Sequence, residues 1–216
     1  MKGIRWIQIV GAALMLALGS AAAGPAAAQS ARIVAIGDSD TAGTSGAASS
    51  YPALLQKRLR DAGHDVLVHN AGVPGMIASQ AVSRLGGLLT PETKIVILHF
   101  GTSDIKHNVS PAALRTDLEK MIAQIRQHGA KPLVVAGRLP APRQVPSGYD
   151  ARAYYAMYGE LRAAQNVAGY RFTENLPSMQ ERSNAYQPDG HLTAEGNARV
   201  AEGLAPVVER LLKDGG

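Results

Sequence analysis

The segment Lys94–Phe100 constrains the fold most, because its centre, Ile95-Val96-Ile97-Leu98, is apolar with no polar alternation. A strand that carries apolar side chains on both faces needs cover on both, which is the environment of a central strand in a parallel sheet. The rest of the chain meets that demand. Strand-like runs are expected at Arg32–Ile36, Asp65–His69, Lys131–Gly137 and Tyr170–Phe172. Helix-like segments are expected at Ser50–Asp61, Ser79–Leu89, Ser110–His128, Ala151–Gln165 and from Thr193 to Leu212. The clearest start is Ser110-Pro111, a capping hydroxyl followed by proline at the first helical position, and Gly129 supplies the stop. Ala71–Gly75 reads as a Gly/Pro turn and Arg138–Asp150 as a Pro-rich loop. Regular alternation of strand and helix implies a parallel sheet with helices on both faces, an α/β fold.

Residues 1–28 are expected to lie outside that fold. Lys2 and Arg5 make a basic start, an apolar stretch runs from Ile7 to Leu18, and small residues lead to Ala26-Ala27-Ala28. This is the pattern of a Sec-type signal peptide cut between Ala28 and Gln29. It implies a periplasmic or secreted protein with no stable membrane anchor after cleavage. The alternative is an uncleaved anchor, for which the apolar core is short. With no cysteine in the chain, both disulfides and a lipidated N-terminal Cys are excluded. What remains, residues 29–216, is one domain of about 190 residues, enough for a real core. Losing Lys2 and Arg5 lowers the formal charge from +5 to about +3. No Lys/Arg cluster is interleaved with aromatics, so nucleic acid is not an expected partner. One Trp, seven Tyr and two Phe also argue against a stacking platform for long sugar chains.

Chemistry concentrates where apolar runs stop. Ile33-Val-Ala-Ile36 ends in Gly37-Asp38-Ser39, which puts a serine at the carboxyl edge of the sheet, where open α/β folds bind ligands. A serine hydroxyl is a weak nucleophile until a base takes its proton. About 150 residues on, Asp189-Gly190-His191 precedes the last helix and can supply that base and its orienting carboxylate. Gly-Asp-Ser and Asp-Gly are also common turn chemistry. Among the other histidines, His64 and His128 sit beside helix-ending glycines, and His69 and His99 lie within strands, where a satisfied structural position explains them. His107, in a loop near the same edge, is the rival base. Asp40 puts a second carboxylate beside the nucleophile, able to hold a histidinium but opposed to an oxyanion. Backbone N–H groups at Ser39 and Gly72, together with Ser103, are candidate oxyanion donors. For Gly72 the competing explanation is a turn that needs positive φ.

These blocks together resemble the SGNH (GDSL-type) hydrolase family. The first block is Gly37-Asp38-Ser39, the second Asn70-Ala71-Gly72, the third Gly101-Thr102-Ser103-Asp104 and the last Asp189-Gly190-His191. Arg138-Leu139-Pro140-Ala141 is similar to the periplasmic multifunctional acyl-thioesterase/lysophospholipase/arylesterase branch. The resemblance implies a flavodoxin-like three-layer α/β/α domain. It also implies an esterase with catalytic Ser39, Asp189 and His191, an oxyanion hole at Ser39, Gly72 and Ser103, and neither metal nor cofactor. Ser103 stands where the family has Asn, Asp40 where leucine is frequent, and the last block has one residue fewer between Asp and His. Three functions follow: an esterase for small or medium acyl esters or thioesters, a polysaccharide O-deacetylase with the same catalytic residues, and a degenerate member that binds an acylated ligand without turnover.

Overall fold

The computed structural model describes residues 30–177 and 184–214. The expected signal segment, residues 1–28, lies outside the described residues. Five parallel strands form one sheet: β1 (Ala31–Gly37), β2 (Val66–Gly72), β3 (Thr93–Phe100), β4 (Lys131–Ala136) and β5 (Ala168–Arg171), in the order β2-β1-β3-β4-β5. This is the flavodoxin-like order, and β3 is its central strand, as its apolar run requires. The helices are α1 (Ser39–Ala42), α2 (Tyr51–Asp61), α3 (Ala78–Leu85), α4 (Thr102–Lys106), α5 (Pro111–Gln127), α6 (Ala151–Gln165) and α7 (Ala194–Lys213).

Side-chain alternation along the strands divides the core into two layers. Val34, Ile36, Val96, Leu98 and Val134 pack on one face against Leu85 of α3, Leu118 and Ile122 of α5, and Leu161 of α6. Ile33, Ala35, Ile95, Ile97, Leu133 and Val135 pack on the other against Leu55 and Leu59 of α2 and Val200, Leu204 and Val208 of α7. The result is the expected three-layer α/β/α arrangement.

Capping chemistry sets the long helices. Ser110 accepts from the Ala113 N–H, Asp150 from Arg152 and Ala153, and Thr193 from Gly196. The differences from the sequence expectations are local. β2 continues to Gly72 instead of ending at His69, because Ala71 and Gly72 pair with Ile36 and Gly37 of β1. α3 stops at Leu85 and a 3-10 turn covers Gly86–Leu88, since two consecutive glycines weaken the α-helix. β5 begins two residues early, at Ala168. α1 and α4 are too short to leave a periodic signal, and both begin in the first and third blocks.

Candidate active site

Ser39 follows β1 at the carboxyl edge, where the strand order switches direction between β1 and β3. It is the first residue of α1 and is 9% exposed. Its backbone N–H has no hydrogen-bond partner among the described residues. Asp38 holds this turn: one carboxylate oxygen accepts the Asp40 N–H at 3.0 Å and the other the Ser103 N–H at 3.0 Å. Burial, then the neighbouring Asp40 charge, pushes the Asp38 carboxyl above the usual range. Thr41 bridges to the His99 ring at 3.0 Å and lies 3.3 Å from the Tyr51 hydroxyl. His99 is buried and stacked on Phe172 at 4.1 Å, a satisfied core histidine whose protonated form burial disfavours.

Asp40 does not act as a free charge beside the serine. Its side chain, 1% exposed, forms a two-point ion pair with Arg138, with Nε at 3.0 Å and Nη2 at 3.2 Å. The guanidinium fork matches both carboxylate oxygens, so the charge is spent on packing the loop after β4 onto the turn of Ser39.

His191 reaches the same edge from the loop before α7. Its Nε2 lies 3.3 Å from Ser39 Oγ, and its Nδ1 lies 2.9 Å from Asp189 Oδ2. With Nδ1–H donated to Asp189, Nε2 is left as the acceptor that faces the serine. The short Asp-Gly-His spacing works because Asp189 folds back on its own loop. Its Oδ1 accepts the His191 backbone N–H at 3.0 Å while Oδ2 meets the ring. Gly190, at φ +87, takes the left-handed conformation that this turn needs. The backbone N–H of His191, then the ring, hold the Asp189 carboxyl below the usual carboxylate range. His107 turns away: its Nδ1 meets the carbonyl of Ser103 at 2.8 Å.

The chain belongs to the GDSL-like lipase/acylhydrolase family.

The family's match runs over residues 35–199. Esterase TesA of Pseudomonas aeruginosa is 31% identical over 184 residues, covering 83% of this chain and 89% of TesA. An arylesterase of Vibrio mimicus is 30% identical over 141 residues, covering 63% of this chain and 68% of its own. The crystal structure of TesA superposes with a TM-score of 0.72 at 30% identity, covering 83% of this chain and 99% of that one. The protein is therefore an ester hydrolase of the SGNH type.

Within this hydrolase the expected oxyanion donors need correction. The single N–H of Gly72 is taken by the Asn70 side chain at 3.0 Å, so it offers nothing to a substrate. Nor does Gly72 have positive φ. It is glycine because a Cβ there would lie 2.3 Å from the Ala42 nitrogen. Asn70 in turn donates to the carbonyls of Thr41 and Ala42, at 2.9 and 3.2 Å, and so fixes α1. The free backbone donor of this loop is Gly75, at φ +79, whose N–H has no partner among the described residues. Met76 N–H closes on the Val73 carbonyl at 3.0 Å, a turn with proline second and glycine third, so the Val73-Pro74-Gly75-Met76 pattern carried the signal. The Ser103 N–H is committed to Asp38, and the Ser103 hydroxyl has no partner among the described residues. Asp104 beside it accepts the N–H groups of Ala78 (2.9 Å) and Gly101 (3.0 Å), and burial pushes its carboxyl up to about 6. Sequence reasoning also missed the bonds that Asn70 makes and the Arg138 partnership, both of which act across elements.

Proposed function

We propose that this hydrolase is an exported esterase that cleaves small or medium acyl esters and thioesters through an acyl-enzyme on Ser39. The observation that carries the proposal is the hydrogen-bonded chain Asp189–His191–Ser39, with steps of 2.9 and 3.3 Å. His191 Nε2 takes the Ser39 proton as Oγ attacks the acyl carbonyl. The imidazolium, held by Asp189, then gives that proton to the leaving alcohol or thiol. Water enters, His191 takes its proton, and attack on the acyl-enzyme releases the acid and restores Ser39. Developing charge on the carbonyl oxygen is met by the Ser39 and Gly75 N–H groups and the Ser103 hydroxyl.

An open groove of about 500 Å³, lined by Val73, Pro74, Gly75, Met76, Gln80 and Arg84, flanks the loop that Val73 ties to the Gly37 carbonyl at 2.9 Å. A groove of that size supports a small or medium acyl group. Export rests on residues 1–28, and a mass for the exported protein that begins at Gln29 tests it.

A fluorophosphonate probe on the purified protein tests the reaction. Labelling at Ser39, lost in Ser39→Ala together with p-nitrophenyl ester hydrolysis, is the expected result. A Ser39→Ala variant that keeps wild-type turnover would overturn the mechanism. Turnover of acetylated sugars in preference to simple acyl esters would move the substrate class.

A further inference from the structure

We propose that Gln187 and Ser45 are positioning residues that form a clasp setting the distance between His191 and Ser39. The proposal rests on the reading of Ser39, His191 and Asp189 as nucleophile, base and orienting group. Ser45 lies in the loop that leaves α1, six residues after Ser39. Gln187 lies in the loop that presents His191. The Gln187 amide nitrogen donates to Ser45 Oγ at 2.8 Å and to the Leu192 carbonyl at 2.8 Å, and lies 3.4 Å from Thr44 Oγ1. Ser45 Oγ donates to the same Leu192 carbonyl at 2.5 Å. The carbonyl directly after His191 is thus gripped by two donors, one from each loop.

Apart from the clasp, the histidine loop is anchored by apolar packing, with Leu192 buried in the core and Tyr186 packed against it, and its remaining polar contacts are mostly internal. Gln187 N–H meets the His191 carbonyl at 2.7 Å, Gly190 N–H meets the Gln187 carbonyl at 2.9 Å, and Tyr186 pairs with Leu192 in an antiparallel bridge. Asp189 binds His191 within that loop. These contacts fix how the imidazole is oriented and which nitrogen carries the proton. None of these hydrogen bonds crosses to the loop that carries Ser39. The distance from the ring to the serine is 3.3 Å, near the outer limit of a useful hydrogen bond, so a small retreat of the loop breaks the proton path. The clasp spans the gap, and its two ends are separated by 142 residues in sequence. A misplacement of about 1 Å at a reacting pair costs on the order of 100-fold in rate. Loss of the clasp therefore acts on kcat and leaves substrate binding and the Asp189–His191 pair in place.

The test is steady-state kinetics on p-nitrophenyl butyrate for Gln187→Ala, Gln187→Glu, Ser45→Ala, Ser45→Thr and the double alanine variant. Gln187→Ala is expected to lower kcat about 10- to 100-fold with KM within about twofold. Gln187→Glu keeps the size but cannot donate to Leu192, and is expected to fall as far. Ser45→Ala loses less, and Ser45→Thr, which keeps the hydroxyl, recovers wild-type kcat. The double variant is no slower than Gln187→Ala alone, because the two side chains act as one unit. The midpoint of the acid limb of kcat/KM stays at its wild-type pH in each variant, since Asp189 still holds the imidazole. Wild-type kcat in Gln187→Ala overturns the clasp, as does a shifted acid limb, or a Ser45→Thr variant as slow as Ser45→Ala. Failure of the underlying mechanism looks different: there Ser39→Ala itself retains turnover.

Discussion

The turn that carries Ser39 is buried and tied to β2, β3, α2, α4 and the loop after β4, whereas the loop that carries His191 is held mostly by hydrogen bonds within itself and reaches the serine side through Gln187 and Ser45. On the first side, Asp38, Asp40, Thr41 and Asn70 connect segments far apart in the chain, and the Asp40–Arg138 pair is 1% and 6% exposed. On the second, Asp189 is 61% exposed and His191 21%. Ser39, the proposed nucleophile, is positioned by the fold, and His191, the proposed base, by a local turn attached to it. Breaking the ties that hold the Ser39 turn therefore has consequences for stability, while a change in the His191 loop acts on rate.

The largest expected effect tests the base side. His191→Ala should reduce kcat by at least about 10⁴-fold, as for Ser39→Ala, because nucleophile and base act as a unit. The melting temperature should stay near wild type. His107→Ala should be mild in both respects. The reverse ranking in ester hydrolysis would move the base to His107 and abolish the contrast.

On the nucleophile side, Arg138→Met leaves Asp40 buried without its partner and should destabilise the fold by about 3–5 kcal/mol in urea titration. Asp40→Leu combined with Arg138→Met should recover most of that loss, since it removes both charges. If Arg138→Met is as stable as wild type, the pair contributes nothing to the rigidity of this half.

Asp104 supplies a pH signature for the same half. Its carboxyl is pushed up to about 6 in the fold from an ordinary value of 3.8, so between those values the folded state holds a proton that the unfolded chain has shed. The contribution of Asp104 to stability is then fully present below about pH 4 and is lost as the pH rises toward 6. Relative to Asp104→Asn, wild type should lose roughly 1–3 kcal/mol across that window, read from urea midpoints at stepped pH. A constant difference between the two proteins would remove burial as the cause.

The smallest effect sharpens the catalytic side of the comparison. Serine at position 103 offers one short hydroxyl where the resemblance to the family implies an amide, so Ser103→Asn should raise kcat about tenfold and change KM less. Unchanged or lower kcat in a folded variant would mean that the surrounding loop is adapted to serine.

The sequence alone determined the α/β class, the central place of β3 and the candidate residues Ser39, Asp189 and His191. These rest on short-range rules: uninterrupted apolar strands, capping residues beside proline and glycine, and a serine where a strand stops. Asp189 could be paired with His191 because the pair is itself local. The tertiary structure decided what depends on contacts between distant segments. Nothing near Asp40 in sequence announces Arg138, and nothing near Gly72 announces that its N–H belongs to Asn70 while its missing Cβ makes room for Ala42. Nor does residue spacing give the separation between Ser39 and His191, because a side-chain bridge from Gln187 to Ser45, remote in the chain, joins the two loops that carry them. Local patterns fix which groups exist and which way each element runs. Hydrogen bonds that form only once the sheet is assembled fix which of those groups remain free to meet a substrate.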